Sequence, residues 1–129
     1  MKVLALDYGS ARTGVAVSDP TGLLARPLCV VERAASEAGL QRIGELIREQ
    51  SAERVVVGLP LTLRGDRGEQ ARETERFADA LRAATAVPVE LFDERFTTDL
   101  AEAGGSAPED ARAAAHLLSS YLAWSSRPS

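Results

Sequence analysis

The chain has 129 residues, enough for one packed core and leaving little room for a second domain. Hydrophobic residues make up 45% of it and charged residues 26%, which excludes global disorder, and no apolar run nears the roughly 20 residues of a bilayer span. The formal net charge of −4, from 15 basic and 19 acidic side chains, gives no general attraction for nucleic acid, yet 14 of the 15 basic residues are arginines, so local phosphate sites remain open to it.

The opening MKVLALDYG meets an aspartate before any leader peptide develops, so Val3 to Leu6 reads as a first strand and the expected location is the cytoplasm. Asp7 and the glycine-bounded turn YGSARTG follow. GVAVSD alternates Val15 and Val17 with smaller residues, as an antiparallel partner of the first strand does. A third strand includes Leu28 to Val31, and its Cys29, the sole cysteine, reads as a buried strand residue. From Ser36 the spacing of Leu40, Ile43 and Ile47 turns helical. The run Val55 to Val57 fits a central parallel strand covered on both faces. Gly58, Pro60 and Gly65 interrupt the pattern before a helix predicted over Gly68 to Ala84, which turns Phe77 and Leu81 toward the sheet.

Val87 to Phe92 supplies a fifth strand, and EDARAAAHLLSSYLAW a last helix with Pro108 at its start. The lone His116 falls among alanines and leucines and reads as a packing or solvent-facing residue. Strand, strand, strand, helix, strand, helix, strand, helix is the order of an α/β protein with a mixed five-stranded sheet and helices on both faces. Residues 1–124 form the expected single domain and 125–129 a loose tail.

Three acids stand out. Asp7 closes the first strand, Glu94 follows the fifth in the segment VELFDERFTTDL, and Asp110 opens the apolar stripe Ala114, Leu117, Tyr121 of the last helix. Each alone has an ordinary explanation: a turn acceptor, a solvated pair with Asp93, or a charge favoured at a helix amino terminus. If the last helix packs beside the first strand, the three converge. Close carboxylates repel, and a divalent cation offsets that repulsion. All-oxygen donors suit Mg²⁺ or Mn²⁺, and a pair of such ions suits hydrolysis of phosphodiesters.

Read together, LALDYGSARTGVAVSD, VVVGLPLTLRGDRG, LFDERFTT and EDARAAAHLLSSYL resemble the YqgF/RuvX family over essentially the whole chain. The resemblance implies a ribonuclease-H-like fold and a nuclease of either of two kinds: one that matures the 5′ end of pre-16S rRNA, or a Holliday-junction resolvase acting on branched DNA. It places the family's acids on Asp7, Glu94 and Asp110, its first turn on Gly9 and Gly14, its GLP segment on Gly58, Leu59 and Pro60, and its DER surroundings on Asp93, Arg95 and Thr98. Relatives carry a longer stretch, commonly with lysine, where this chain has only DLAEAGGSAPE.

Arg12, Arg95, Arg64 and Arg67 lie on loops next to these segments and are candidates for contacting substrate phosphates, although each also has acidic neighbours to pair with. Thr97 and Thr98 are expected to brace the DER turn, and Tyr8 to pack at the site edge or stack on a base. A symmetric homodimer suits cleavage of two strands. Two rivals stand beside the nuclease: a noncatalytic RNA-binding module of ribosome assembly, and an ATP-dependent enzyme suggested by DYGSARTG, which one small domain does not favour.

Overall fold

A computed structural model describes residues 1–61, 64–96 and 107–126. The order is β1 (Val3–Asp7), β2 (Arg12–Ser18), β3 (Ala25–Glu32), α1 (Glu37–Gln50), β4 (Arg54–Leu59), α2 (Glu69–Ala84), β5 (Val89–Asp93), a 3₁₀ turn (Glu94–Phe96) and α3 (Glu109–Ser125). The five strands line up as β3-β2-β1-β4-β5. The first three are antiparallel neighbours, while β1, β4 and β5 run parallel. The mixed sheet expected from the sequence is therefore present, with helices on both faces.

Strand periodicity divides the core in two. Leu4, Leu6, Val15, Val17, Val55 and Val57 point to one face, where Ile43, Leu46, Phe77 and Leu81 from α1 and α2 cover them. Val3, Ala5, Ala16, Val56 and Phe92 point to the other, under Ala114, Leu117, Leu118 and Tyr121 of α3. This double coverage is why β4 is a continuous apolar run instead of an alternating one. Asp7 continues the Val3, Ala5 series and so emerges on the α3 side.

Local chemistry sets the helix ends. The Ser36 hydroxyl accepts from Gly39 N at 3.0 Å, capping α1, and Ser51 ends it in the left-handed conformation at φ 54°. Inside α1, a methyl group on Gly44 would meet nothing nearer than the mobile Arg48 guanidinium, at 3.6 Å. Gly44→Ala is therefore expected to raise stability by about 0.5–1 kcal/mol, read as a shifted midpoint in urea.

The fifth strand starts two residues later than its apolar run suggests. Pro88 has no N–H for the ladder, and instead its carbonyl accepts from Val55 N at 2.9 Å. Cys29 is half-buried, not fully buried, because it lies on the edge strand β3. The last helix runs to Ser125, one residue beyond the expected domain end. No helix among the described residues is long and apolar enough to cross a membrane.

Candidate metal centre

All three acids come from element ends on one edge of the sheet, the carboxyl end of the parallel strands, where open α/β sheets place their ligands. Asp7 is the last residue of β1, and Glu94 follows directly on β5. Asp110 lies in the first turn of α3.

Two glycines allow this gathering. Gly14 is the cross-strand partner of Asp7, and the Asp110 carbonyl sits so close above it that any Cβ there would collide with the helix backbone. The missing side chain lets the start of α3 settle on β2 and brings Asp110 toward Asp7. At the end of β4, a Cβ on Gly58 would lie 2.9 Å from Glu94 Oε2 and 3.1 Å from Leu117 Cδ2, so the Glu94 side chain folds back over bare backbone. Gly58→Ala is expected to push Glu94 aside and cut any activity that depends on it by about tenfold, with a smaller effect on stability; steady-state kinetics and a melting curve separate the two.

The electrostatics run along a row. Asp7 is held above the usual carboxylate range, first by burial and then by the neighbouring Asp110. Burial, then Asp7, then Asp93 push the Glu94 carboxyl up to about 7. Among the described residues, no hydrogen bond or salt bridge to a protein cation reaches either the Asp7 or the Glu94 carboxylate. Asp110 has a partner: Arg12 Nε lies 3.4 Å from its Oδ2.

The donor set fits a hard divalent cation. Its atoms are all carboxylate oxygens, two of the groups are desolvated and mutually repelling, and positive charge between them relieves the repulsion. Among the described residues, no three His, Cys, Asp or Glu side chains gather tightly enough to hold one ion. The couplings are pairwise, Asp110 with Asp7 and Asp7 with Glu94, so Asp7 stands in the middle of the row.

Raising a carboxyl by burial has a definite sign for stability. Glu94 prefers its protonated form in the fold, so its contribution is fully present below its ordinary value of 4.5 and is lost as pH rises through about 7. In a chelating buffer, the melting temperature is expected to fall between about pH 5 and about pH 8. Glu94→Gln should flatten that fall, as scanning calorimetry across the range would show.

The surrounding residues divide by location. Asp93 Oδ1 accepts from Arg95 N at 2.9 Å, and its Oδ2 pairs with Arg95 Nη2 at 2.6 Å; Asp93 thus shapes the turn that delivers Glu94. A Cβ on Gly65 would lie 3.2 Å from the Arg95 guanidinium, so the loop after β4 passes beside it. Arg64 pairs loosely with Asp66 at 3.9 Å, and Arg67 with Glu75 at 3.3 Å. Gly9 accepts the Thr13 hydroxyl at 3.3 Å and has no room for a side chain, since a Cβ would approach Arg12 O to 2.5 Å. Thr97 and Thr98 lie outside the described residues. Tyr8 turns away from the acids, stacks on Phe77 with ring centroids 4.5 Å apart and donates to Glu73 at 3.3 Å, which fixes it as a packing residue.

Sequence reasoning did not give Gly14 and Gly58 their role as close-approach points. The signal was present, because a glycine within a strand pattern marks a place where another backbone or group comes near.

A ribonuclease-H-like sheet with acids at the carboxyl ends of β1 and β5 and at the start of the last helix defines the class. The model of the RuvX family, described as "RuvX: Holliday junction resolvase", matches residues 1–124, and the chain belongs to that family. A protein of Anaeromyxobacter named "Putative pre-16S rRNA nuclease" is 46% identical over 132 aligned positions, covering 95% of this chain and 96% of its own length. One of the same name from Chloroflexus aurantiacus is 49% identical over 100 residues, 78% of this chain, and the match spans only 65% of that relative. Among solved structures, Thermus thermophilus RuvC superposes with a TM-score of 0.68 at 18% identity, covering 97% of this chain and 95% of its own. RuvC in complex with a Holliday junction substrate gives 0.67 at 21% identity, covering 97% and 94%. At such identities the likeness speaks for the fold alone.

Proposed function

We propose that this protein is a divalent-metal-dependent endonuclease that hydrolyses phosphodiester bonds in structured nucleic acid, and that its substrate is the 5′ region of precursor 16S rRNA. The observation that carries the reading is the row Asp110, Asp7, Glu94 at the carboxyl end of the sheet: Asp7 and Glu94 are held above the usual carboxylate range by burial and by their acidic neighbours, and among the described residues no protein cation reaches either. The choice of RNA is supported by the name its full-length relatives carry.

In this reading Asp7, Glu94 and Asp110 hold Mg²⁺ or Mn²⁺. A bound pair of such ions supplies an activated water and neutralises charge on the phosphate. The protein's part is positional. Asp7 sits where the sheet fixes its backbone, Asp93 and Arg95 lock the turn behind Glu94, and Gly14 seats Asp110. Glu94 must give up the proton it holds near neutrality before it can act as a ligand, so metal uptake releases protons. In this reading Arg64 and Arg67, on the loop after β4, and Arg95, in the turn after β5, contact the phosphate backbone.

The test compares wild type with Asp7→Asn, Glu94→Gln and Asp110→Asn on precursor 16S rRNA and on a four-way DNA junction, with Mg²⁺ or Mn²⁺. Metal-dependent cleavage of the RNA by wild type, lost in all three variants while RNA binding persists, is the expected result. Cleavage of the junction alone would assign a DNA resolvase. Binding without cleavage of either would establish a noncatalytic RNA module.

A further inference from the structure

We propose that Arg12 is a built-in counter-ion of Asp110, displaced when that carboxylate takes up a divalent cation, so that Arg12 sets the metal affinity of the site. The proposal rests on the metal reading above and adds a competitor to it.

The geometry carries the argument. Arg12 Nε and Asp110 Oδ2 lie 3.4 Å apart, with the side chains 66% and 39% exposed. Such an ion pair is weak and readily exchanged. The backbone on both sides is fixed. Arg12 is the first residue of β2, paired with Glu32; Arg33 N donates to Ala11 O at 3.0 Å; and Asp110 is seated on Gly14. The exposed guanidinium has room to move. A cleft of about 560 Å³, bounded by Arg12, Val30, Glu32, Pro108, Glu109 and Asp110, opens beside it, so it can swing away without any shift of strand or helix.

Charge gives the exchange its direction. Asp110 has Arg12 on one flank and repels Asp7 on the other. A single guanidinium neutralises one of these carboxylates and leaves Asp7 unrelieved. A divalent cation bound by both relieves the pair, and Arg12 then becomes a like charge next to it and is driven out into the cleft. Arg12 therefore protects the empty acids at some expense in affinity.

Titration with Mn²⁺, following the free ion by electron paramagnetic resonance, reads this directly without any turnover. Relative to wild type, Arg12→Ala and Arg12→Gln are expected to bind Mn²⁺ about two- to fivefold more tightly, and Arg12→Lys to return toward the wild-type value. Arg33→Asn is the control. It removes a positive charge at a residue whose backbone is bonded to Ala11, next to Arg12, and whose φ of 47° asparagine tolerates, and it should leave the affinity unchanged.

Three results would overturn the proposal. If wild type binds Mn²⁺ and the Arg12 variants bind it equally or more weakly, the displacement is wrong while the metal reading survives. If Arg33→Asn tightens binding as much as Arg12→Ala, a general charge effect replaces the specific contact. A wild type that takes up no Mn²⁺ would remove this proposal and the metal reading together.

Discussion

Asp7→Asn is expected to lower metal-dependent cleavage at least about 100-fold, since even groups that only orient a metal's ligands cost 10–100-fold when lost. The same change should leave the fold intact and make it more heat-resistant in a chelating buffer. Asp7 is the middle member of the row and raises the Glu94 carboxyl. Removing its charge removes a repulsion that the fold otherwise tolerates, and stability is commonly gained when a functional residue is neutralised. Glu94 should then titrate nearer to an ordinary glutamate, and the fall in melting temperature toward high pH should become shallower. A protein for which Asp7→Asn lost both activity and stability would point to Asp7 as a turn-forming acceptor and not as a ligand.

Gly14→Ala is expected to have the largest structural effect of any single methyl group. A Cβ at Gly14 would run into the carbonyl of Asp110, a backbone atom that cannot rotate away. Either α3 lifts from β2 or β2 buckles. Overpacking of this kind costs about 1–3 kcal/mol and sometimes more, and here the upper end is expected because both colliding groups are main chain. Lifting the start of α3 also carries Asp110 away from Asp7, so cleavage should fall together with stability. Urea denaturation and a Mn²⁺ titration of the residual folded protein measure the two losses separately. Gly44→Ala, where the added methyl meets only a flexible side chain, gives the opposite sign and rules out a generic intolerance of alanine for glycine.

Much of this fold was legible because period and packing agree. The apolar run of β4 foretold a strand covered on both faces, and Ser36 and Pro108 marked where α1 and α3 begin. The β5 boundary was less legible, since an apolar run extends to Val87 while the hydrogen-bond ladder excludes Pro88.

Of the site, the acids could be picked out from their positions at element ends. Their relation could not. The repulsion of Asp7 by Asp110 and of Glu94 by Asp7, the seating of α3 on Gly14 and the folding of Glu94 over Gly58 all join residues far apart in the chain. Sequence also offered Arg95 as a substrate contact, but it did not reveal that the Arg95 guanidinium holds Asp93, two positions away. Arg12 was named beside the site, but its pairing with Asp110 depends on where α3 lands.

The central claim is that these acids are metal ligands. Diffraction from crystals soaked in Mn²⁺, collected at a wavelength where manganese scatters anomalously, tests it most directly. An anomalous peak bonded to Asp7 together with Asp110 or Glu94, and absent in Asp7→Asn, is the predicted result. Peaks confined to other surface carboxylates, with Asp7 and Glu94 unchanged and uncoordinated at millimolar Mn²⁺, would contradict it.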